Sequence, residues 1–514
     1  MRRPRSAPSR GFSDSPIVAP VIPTIERLSV ALAAGSAAAL ALFVGLRGLG
    51  TPLWIATALA LAIAAGGSFA LARRLPADLD GILHVHRWWC VAWVLVALLA
   101  LGQTARMSAF MLDPEQEQHA LFPDDPWYVA HCCLTAYTEA ARFATEGAAN
   151  IYAPELYLDR KMGGFNVDAY HYPPSFLMLP IALRTLAGAD FVHQRMLWFG
   201  ISALVLLLAM GAAAAALEPR ARWRAIAAAP AVWLSVPVQL GFQMSNVQLL
   251  MISVSVLAWA SFRRFRPLGG ALLALAIVSK IFPGILGLDL LLRRRWKEVA
   301  STAAFGLLFC GTIYAVVGPQ PFRAFFEFEL PRLSSGEAFA RPFSRAFAVA
   351  HNMSPFGAAL KLEKLGLPGM GMATAKLFSG IYGLALLGLA FWAARRGALA
   401  TAFARGSSAT TELSVWLALL SLGTLASPFA PANYVLASVV WLAAVDREDF
   451  SPLFAGIVWL ATSAPFLLPR DGEFVLRAVT FQPAQLLALG VPTYVLWRAA
   501  AAPPRSRPSA AGAA

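Results

Sequence analysis

The chain has 514 residues, of which 58% are hydrophobic and only 14% are charged. So few charges cannot cover the surface of a soluble protein of this length, so the composition excludes a soluble globular class and indicates a lipid environment. The net charge of +14 would suit nucleic acid. However, the basic residues stand in short clusters between apolar stretches, a distribution that sets topology at a bilayer. We therefore expect the lipid bilayer, and no nucleic acid, as a partner.

The two ends of the chain are predicted to be cytoplasmic tails. Residues 1–27 are basic and rich in Ser and Pro, and they are too polar before the first apolar run to be a cleaved signal peptide. Residues 498–514 form a second basic tail. The cysteines show no zinc-type spacing, and the adjacent pair is poorly placed to bridge itself, so we interpret all four as packing residues: Cys90, Cys132, Cys133 and Cys310.

Apolar runs recur along the chain, and a membrane-crossing helix needs about 20 such residues. They predict an all-α polytopic membrane protein with about fourteen spans. Two spans fall in 28–87, a core in 88–317 and the last spans in 372–497. Two long polar segments, 106–193 and 318–371, are predicted to be outer loops. The predicted spans are Leu28–Gly45, Leu53–Ala72, Trp88–Ala105, Gln194–Leu217, Ala225–Leu240, Val247–Phe262, Leu268–Ser279, Ile281–Leu292, Val299–Val317, Ala373–Ala394, Leu413–Ala426, Tyr434–Val445, Leu453–Leu468 and Gln482–Trp497.

Three apolar segments are too short to cross the membrane alone. Phe176–Leu183 has eight residues and is predicted to lie in the interface. Leu268–Ser279 and Ile281–Leu292 are flanked by basic clusters on both sides, so they are expected to form a hairpin that enters and leaves from the cytoplasm. With this arrangement, every strong basic cluster falls on the inner side and both termini are cytoplasmic.

The first outer loop concentrates acidic residues, with 11 of the 28 in the chain. Asp125 and Asp124 follow the end of a predicted span. A carboxylate there could accept the proton of an acceptor hydroxyl during attack on an activated sugar. The alternative is that Asp-Asp-Pro begins a helix as a cap. Asp125 is the favoured base and Asp124 the second, with Glu139 and Asp168 next in order.

Five residues are candidate substrate contacts. Lys280 stands between two short apolar pieces, where an ammonium is costly unless it is paired or hydrated, and a phosphate would be a natural partner. The alternatives are snorkelling to water or pairing with Asp289. The other four candidates are Gln243, Asn246, His131 and Tyr172. Each also has a structural interpretation: Gln243 and Asn246 as turn residues, His131 as a hydrogen-bonded group and Tyr172 as the start of the interfacial helix.

Three motifs together resemble a known family. They are Tyr137-Thr-Glu-Ala-Ala with Gly147 and Ile151-Tyr152; Tyr172-Pro-Pro before an apolar run; and an ordered block of Phe242-Gln-Met-Ser-Asn-Val, Arg266-Pro-Leu-Gly-Gly, Ser279-Lys-Ile-Phe-Pro and Arg294-Arg-Trp. This pattern is similar to bacterial glycosyltransferase family 87, also known as domain of unknown function 2029, in the GT-C class of membrane glycosyltransferases. The resemblance covers about Trp88 to Val317, with a looser match at Ser427-Pro and Asn433-Tyr.

The resemblance implies a GT-C-like fold with a seven-helix core, and an inverting hexosyltransferase. The donor would be a polyprenyl-phosphate-linked sugar, often mannose, and the acceptor an envelope glycolipid or glycan. The site would face outward from the bacterial inner membrane, with no nucleotide site, cofactor or essential metal. The family carries its catalytic Asp about four residues before the Tyr matched to Tyr137, and Cys133 stands at that position in this chain.

Two other classes would use similar helices. A transporter or lipid flippase is the main rival, and it should carry ionisable residues inside full-length spans. Apart from Lys280, the candidates here lie in loops, which favours an enzyme. A ligase or polymerase of surface polysaccharide would share the lipid carrier and differ in the acceptor.

Overall fold

The computed structural model describes residues 25–75, 87–395, 408–446, 450–468 and 473–501. The two predicted tails lie almost entirely outside these ranges, as does Arg396. The Cys90 side chain is also outside what the structure describes. Cys132, Cys133 and Cys310 are free thiols, as expected of packing residues.

Helices make up nearly all of the described structure. Apart from them there is one short antiparallel hairpin in the first outer loop, formed by β1 (Lys161–Met162) and β2 (Phe165–Asn166). The first group of helices is α1 (Ile25–Gly48), α2 (Leu53–Ala62), α3 (Ser68–Arg74), α4 (Arg87–Leu112), α5 (Pro126–Ala130), α6 (Leu134–Thr145), α7 (Met178–Ala187), α8 (Phe191–Ala216), α9 (Pro219–Leu234), α10 (Val236–Gln243), α11 (Val247–Phe262), α12 (Arg266–Ser279), α13 (Gly284–Leu292) and α14 (Trp296–Val317). The second is α15 (Gln320–Ala324), α16 (Leu330–Ser335), α17 (Ala340–Ser344), α18 (Ala346–His351), α19 (Pro355–Lys364), α20 (Met372–Arg395), α21 (Ala409–Leu425), α22 (Ala432–Val445), α23 (Pro452–Ser463), α24 (Phe474–Thr480) and α25 (Gln482–Ala501).

Among the described residues, seven helical segments are long and apolar enough to cross a membrane. The pair α9–α10, bent by 56°, adds an eighth if it forms one span, and six further apolar helices are shorter. The prediction of an all-α polytopic membrane protein is therefore confirmed, whereas the number of spans stays a prediction. The seven segments are Glu26–Gly48, Leu53–Arg74, Val91–Leu112, Phe191–Ala216, Trp296–Val317, Met372–Arg395 and Phe474–Ala501.

The helix boundaries follow most of the apolar runs closely, with two notable differences. The predicted span Ala225–Leu240 is divided between α9 and α10, which meet at a bend of 56°. α11 has the predicted bounds. α4 continues to Leu112 beyond the predicted end at Ala105, so the first outer loop begins about two turns later. The Arg106 guanidinium donates to the carbonyls of Gln118 and Ala120, which anchors the start of the loop to this extension. A helix satisfies its own backbone hydrogen bonds, so it need not end where the apolar residues end.

The extra N-terminal helix α1 packs tightly against the core. A Cβ atom at Gly200 of α8 would lie 2.7 Å from the Cα of Gly45 in α1, so only glycine fits at this crossing. Small residues that let helix backbones approach each other are a common basis of packing in membranes. The interface anchors α1 to α8, which leads directly out of the first outer loop.

Burial separates the centre of the bundle from its lipid-facing rim. α21 and α22 are buried on almost all sides, as expected for helices surrounded by others. In contrast, Leu307 of α14 is 76% exposed and Leu384 of α20 is 73% exposed. In a membrane protein such side chains face lipid rather than water.

The two long loops meet at one end of the bundle. His171 of the first loop lies 2.7 Å from the buried carboxylate of Glu329 in the second loop. Phe347 of the second loop packs on Trp127 of the first, with ring centroids 5.7 Å apart. Asn352 then joins the second loop to the α21–α22 connection by donating to the Pro428 carbonyl. The two loops therefore form one cap over this end.

We expect reporter fusions at Pro126 and Ser334 to lie on the outer side, because both residues belong to this cap. Fusions at Arg222 and Arg295, in basic clusters beyond α8 and α13, should lie inside. A fusion at Arg396 should also lie inside. Cleavage or labelling of the reporter from each side of the membrane shows on which side each fusion lies. Finding Pro126 and Arg222 on the same side would contradict α8 as a span.

Candidate functional site

The first loop packs on the turn between α10 and α11. The sequence predicted that the polar residues of this turn lie on the outer side. Gln243 is fully buried, and its amide donates to the Tyr128 carbonyl at 2.9 Å and accepts from the Leu121 backbone N–H. The Cys133 backbone N–H donates to the Met244 carbonyl at 2.8 Å. Gln243, proposed from the sequence as a substrate contact, thus lies where it supports the loop.

Asn246 has two functions at the same turn. Its carbonyl oxygen accepts from the Gln248 N–H at 2.8 Å and so caps α11. Its amide nitrogen donates to the Tyr434 hydroxyl at 2.6 Å and lies 3.2 Å from the Cys133 sulfur. The helix cap therefore also brings together the first loop and the start of α22.

Lys280 lies between the aromatic ring of Tyr434, which is hydrogen-bonded to Asn246, and that of Tyr172. Its Nζ atom is 4.6 Å from the centre of the Tyr434 ring and 5.4 Å from that of Tyr172. Ring faces attract an ammonium, and they leave its hydrogen-bonding capacity open to an anion. Asp289, the alternative partner, instead pairs with Arg293 at 2.8 Å. No ion pair joins Lys280 to a carboxylate in the described part of the chain.

Tyr172 is fixed by its own contacts. Its hydroxyl lies 2.9 Å from that of Tyr137, and the two rings meet edge to face. Tyr137 in turn accepts from the Val247 N–H at 3.3 Å. Ser175, just beyond Tyr172, donates to the Val278 carbonyl at 2.6 Å, close to the end of α12. These bonds hold the Tyr172-Pro-Pro segment against the helix that ends at Lys280.

A carboxylate that ranked low from the sequence lies at the same place. Asp168 Oδ2 is 3.4 Å from His131 Nε2, and that nitrogen is 3.6 Å from the Cys133 sulfur. The Asp168 backbone N–H donates to the Thr135 hydroxyl at 3.1 Å. The same hydroxyl donates to the carbonyls of Cys132 and Asn166. The segment after β2 is thus tied to the start of α6, which places Asp168 beside Cys133.

The surroundings of Asp168 set its basicity. Its half-buried carboxyl is surrounded by protein, and this desolvation raises its pKa above the ordinary value of an aspartate. Four positive or titratable groups oppose the rise: His131, His171, Arg341 and Arg345. A carboxylate whose pKa is moved towards neutrality is a better proton acceptor at physiological pH.

Cys133 cannot replace the carboxylate that the family pattern places at its position. Burial, together with the neighbouring Asp168 charge, raises the pKa of its thiol to about 12. The thiol therefore stays protonated near neutral pH and cannot accept a proton. Asp168 brings a carboxylate beside Cys133 from a different part of the first loop.

Asp125 and Asp124 lie earlier in the first loop, before His131. The Asp125 carboxylate accepts from the backbone N–H groups of Trp127 and Tyr128 at 2.9 and 3.4 Å, and Pro126 occupies the first position of α5. This is the helix cap that the sequence offered as the alternative interpretation. Asp124 is exposed. Trp127, on the first turn that Asp125 caps, stacks on His131 with ring centroids 4.2 Å apart.

The remaining first-loop candidate, Glu139, has a clear structural partner set. Its buried carboxylate pairs with Arg142 at 2.9 Å and with Arg160 at 3.2 Å. These contacts join α6 to the segment before β1. Glu139 therefore lies in an ion-pair network rather than in the group around Cys133.

The described residues include one trio whose atoms could coordinate a metal. The donor atoms of His131, Cys133 and Asp168 all lie within 4.8 Å of one another. Nitrogen, sulfur and carboxylate oxygen are ligands that zinc accepts. However, Arg341 and Arg345 of the second loop bring positive charge to the same region. These electrostatics favour an anion over a divalent cation.

The structure thus brings four of the five predicted substrate contacts to one place: Lys280, Asn246, His131 and Tyr172. Sequence reasoning missed Tyr434, which was noted only as a loose motif match, and the second-loop residues Arg341 and Arg345. The Asn433-Tyr434 pair at the start of an apolar run was the one available signal. Nothing in the sequence related the two arginines to the first loop.

A family model for glycosyltransferase family 87 matches residues 170–428, just over half of the chain. The match includes Tyr172, Asn246, Lys280 and the whole second loop. It begins after His131 and Asp168 and ends before Tyr434. No curated protein and no solved structure matches the chain.

Proposed function

Because the chain belongs to glycosyltransferase family 87, we propose that it transfers a hexose from a polyprenyl-phosphate carrier to a hydroxyl group. The acceptor would be an envelope glycolipid or glycan on the outer face of the bacterial inner membrane. This proposal rests on one observation. Lys280 lies between Tyr172 and Tyr434, and it is close to Cys133, which lies beside His131 and Asp168. A cation and a carboxylate at one site are what a phosphate leaving group and an acceptor hydroxyl require.

Lys280 is the proposed contact of the donor phosphate. In transfer, the bond between the anomeric carbon and the phosphate oxygen breaks, and negative charge develops on that oxygen. A positioned ammonium stabilises this charge more in the transition state than in the ground state. The aromatic rings of Tyr172 and Tyr434 keep the ammonium in place and offer flat surfaces to a sugar ring.

Asp168 is the proposed proton acceptor. As the acceptor oxygen forms its bond to the anomeric carbon, its proton passes to the Asp168 carboxylate, and the configuration at that carbon inverts. His131 lies 3.4 Å from the carboxylate and would orient it. Asp125, favoured by the sequence, remains the second candidate for this role, with Asp124 after it.

The distribution of charge supports an enzyme over a transporter or flippase. The ionisable residues of the site lie at helix ends and in the two loops, not in the middle of a long span. A transport pathway would need such groups along its length. Asp289 of α13 and Arg195 near the start of α8 are buried charges within helices, and each has a protein partner: Asp289 pairs with Arg293, and Arg195 donates to the Phe110 carbonyl.

Two measurements test the proposal. Purified protein supplied with synthetic polyprenyl-phosphate mannose or glucose, and with envelope lipid extract, should yield a glycosylated product detectable by mass spectrometry. The envelope of a deletion strain should lack the same product. Movement of the carrier across vesicle membranes with no glycosylated product would favour the flippase instead.

A further inference from the structure

A basic cavity lies at the opposite end of the bundle from the candidate site. It has a volume of about 490 Å³ and is lined by the α11–α12 connection and the first turn of α14. α11 runs from Asn246 in the site to this cavity, and α12 runs from the cavity back to Lys280. The lining residues are Phe262, Arg263, Arg264, Phe265, Arg266, Pro267, Lys297 and Ser301.

Two helices begin at this cavity without side-chain caps. α12 starts at Arg266 after Phe265, and α14 starts at Trp296 after Arg295, and neither preceding residue caps its helix. The N-terminus of a helix carries partial positive charge and free N–H groups, both of which favour an anion. Gly270 brings the two helix starts together, because a Cβ there would lie 2.1 Å from Ser301 Oγ.

The charges of the cavity are only partly neutralised by protein. Arg263 pairs with Glu412 at 2.8 Å, and Arg266 with Glu298 at 3.4 Å. Arg264 and Lys297 are exposed, and within the described residues neither forms an ion pair. Four lining cations therefore meet two carboxylates, which leaves an excess of positive charge in the cavity.

The other basic cluster predicted on this side is used differently. Arg222 donates to the carbonyls of Ala214 and Leu217 at the end of α8. Arg224 donates to the carbonyls of Ala443 and Ala444 at the end of α22. These guanidiniums cap helix C-termini. Orientation in the membrane explains positive charge on this side, but it does not explain a cavity in which Arg264 and Lys297 form no ion pair with the described residues.

Exposed apolar side chains beside the cavity indicate where it lies relative to the lipid surface. Phe265 is 61% exposed and Trp296 is 59% exposed. Aromatic side chains of this kind are enriched where a protein meets the headgroup region. Leu268, one turn into α12, is also exposed. The cavity therefore opens beside exposed aromatic and apolar side chains, the combination expected at headgroup level.

We propose that this cavity binds the phosphodiester headgroup of an anionic phospholipid. The phosphate would lie between Arg264, Lys297 and the two helix starts, with the acyl chains along Phe265 and Trp296. Basic cavities between membrane helices are suited to such headgroups. Phosphatidylglycerol is the simplest lipid with this chemistry. A soluble phosphate would satisfy the charges but would leave the aromatic rim unused.

Thermal unfolding of the purified full-length protein in detergent tests the proposal, since a ligand that binds the folded state raises the Tm. Dioleoyl phosphatidylglycerol should raise the Tm saturably, whereas dioleoyl phosphatidylcholine, with the same chains and no net charge, and inorganic phosphate should not. The R264Q/K297Q double variant should need about thirtyfold more phosphatidylglycerol for the same shift. The single variants should each need about fivefold more.

Arg220→Gln is the matched control, because Arg220 is an exposed arginine in the other basic cluster and does not line the cavity. It should respond to phosphatidylglycerol as the parent does. Equal responses from R220Q and the double variant would overturn the proposal in favour of general surface charge. A shift of the same size with inorganic phosphate alone would overturn the assignment to lipid. The readout is independent of sugar transfer, so it stands apart from the proposed function.

Discussion

Lys280→Ala should lower the rate of sugar transfer by about 10²–10³-fold, the range found when one donor to a developing oxyanion is removed. The expected cause is the loss of the ammonium that lies between the Tyr172 and Tyr434 rings, where it can contact a phosphate. Folding should be preserved, since Lys280 forms no ion pair with the described residues. Transfer from a synthetic polyprenyl-phosphate sugar measures the rate, and donor titration separates binding from turnover.

Lys280→Arg should retain part of the activity, because the charge stays while the compact ammonium is lost. Lys364→Ala is a suitable control, since Lys364 is an exposed lysine at the end of α19, away from the site. It should transfer sugar at the parental rate. If Lys280→Ala uses the donor as well as the parent does, Lys280 has no phosphate role and the snorkelling interpretation stands.

Asp168→Asn should lower turnover by about 10²–10⁴-fold, the usual contribution of a positioned general base. Asparagine keeps the size of the side chain and removes only its basicity, and the Asp168 backbone bond to Thr135 is unaffected. Donor binding should therefore persist. Single-turnover transfer, together with donor binding measured separately, gives both quantities.

The pH profile adds a readout that a structural role would not change. A base must be deprotonated to act, and the pKa of Asp168 is raised by burial. In the parent protein, activity should fall as the pH falls through this raised pKa, at a higher pH than for an ordinary aspartate. The residual activity of Asp168→Asn should lack this acid limb.

Asp125→Asn separates the two candidate bases. Asparagine caps a helix as well as aspartate does, so a residue that only begins α5 tolerates the change with little loss of transfer. Abolished transfer in Asp125→Asn, with folding and donor binding intact, would instead assign the base to Asp125. Full activity in Asp168→Asn would remove Asp168 from the mechanism.

The membrane helices could be derived from the sequence because each depends on a local property. A helix such as Val247–Phe262 is one apolar run bounded by Asn246 and Arg263, and its interior backbone groups are satisfied within the helix itself. The extension of α4 past Arg106 was not evident, because that residue ends the apolar run without ending the helix. Its guanidinium finds carbonyls more than ten residues away.

The candidate site was only partly accessible from the sequence. Lys280 could be recognised because a cation between apolar segments is costly wherever the chain folds. Asn246 and Tyr172 lay in recognisable motifs. The choice among eleven first-loop acids could not be made from their spacing, since a cap at Asp125 and a base look alike in a sequence.

The sequence by itself determined the helical membrane class and singled out Lys280 as a candidate cation, because hydropathy and charge act over a few turns of chain. Only the tertiary structure showed which carboxylate lies at the candidate site. Asp168 reaches Cys133 because Thr135 ties two loop segments together, and Tyr434 reaches Asn246 across 188 residues of sequence. Such contacts depend on how α11, α12 and α22 pack against one another, and no local pattern in the chain encodes that packing.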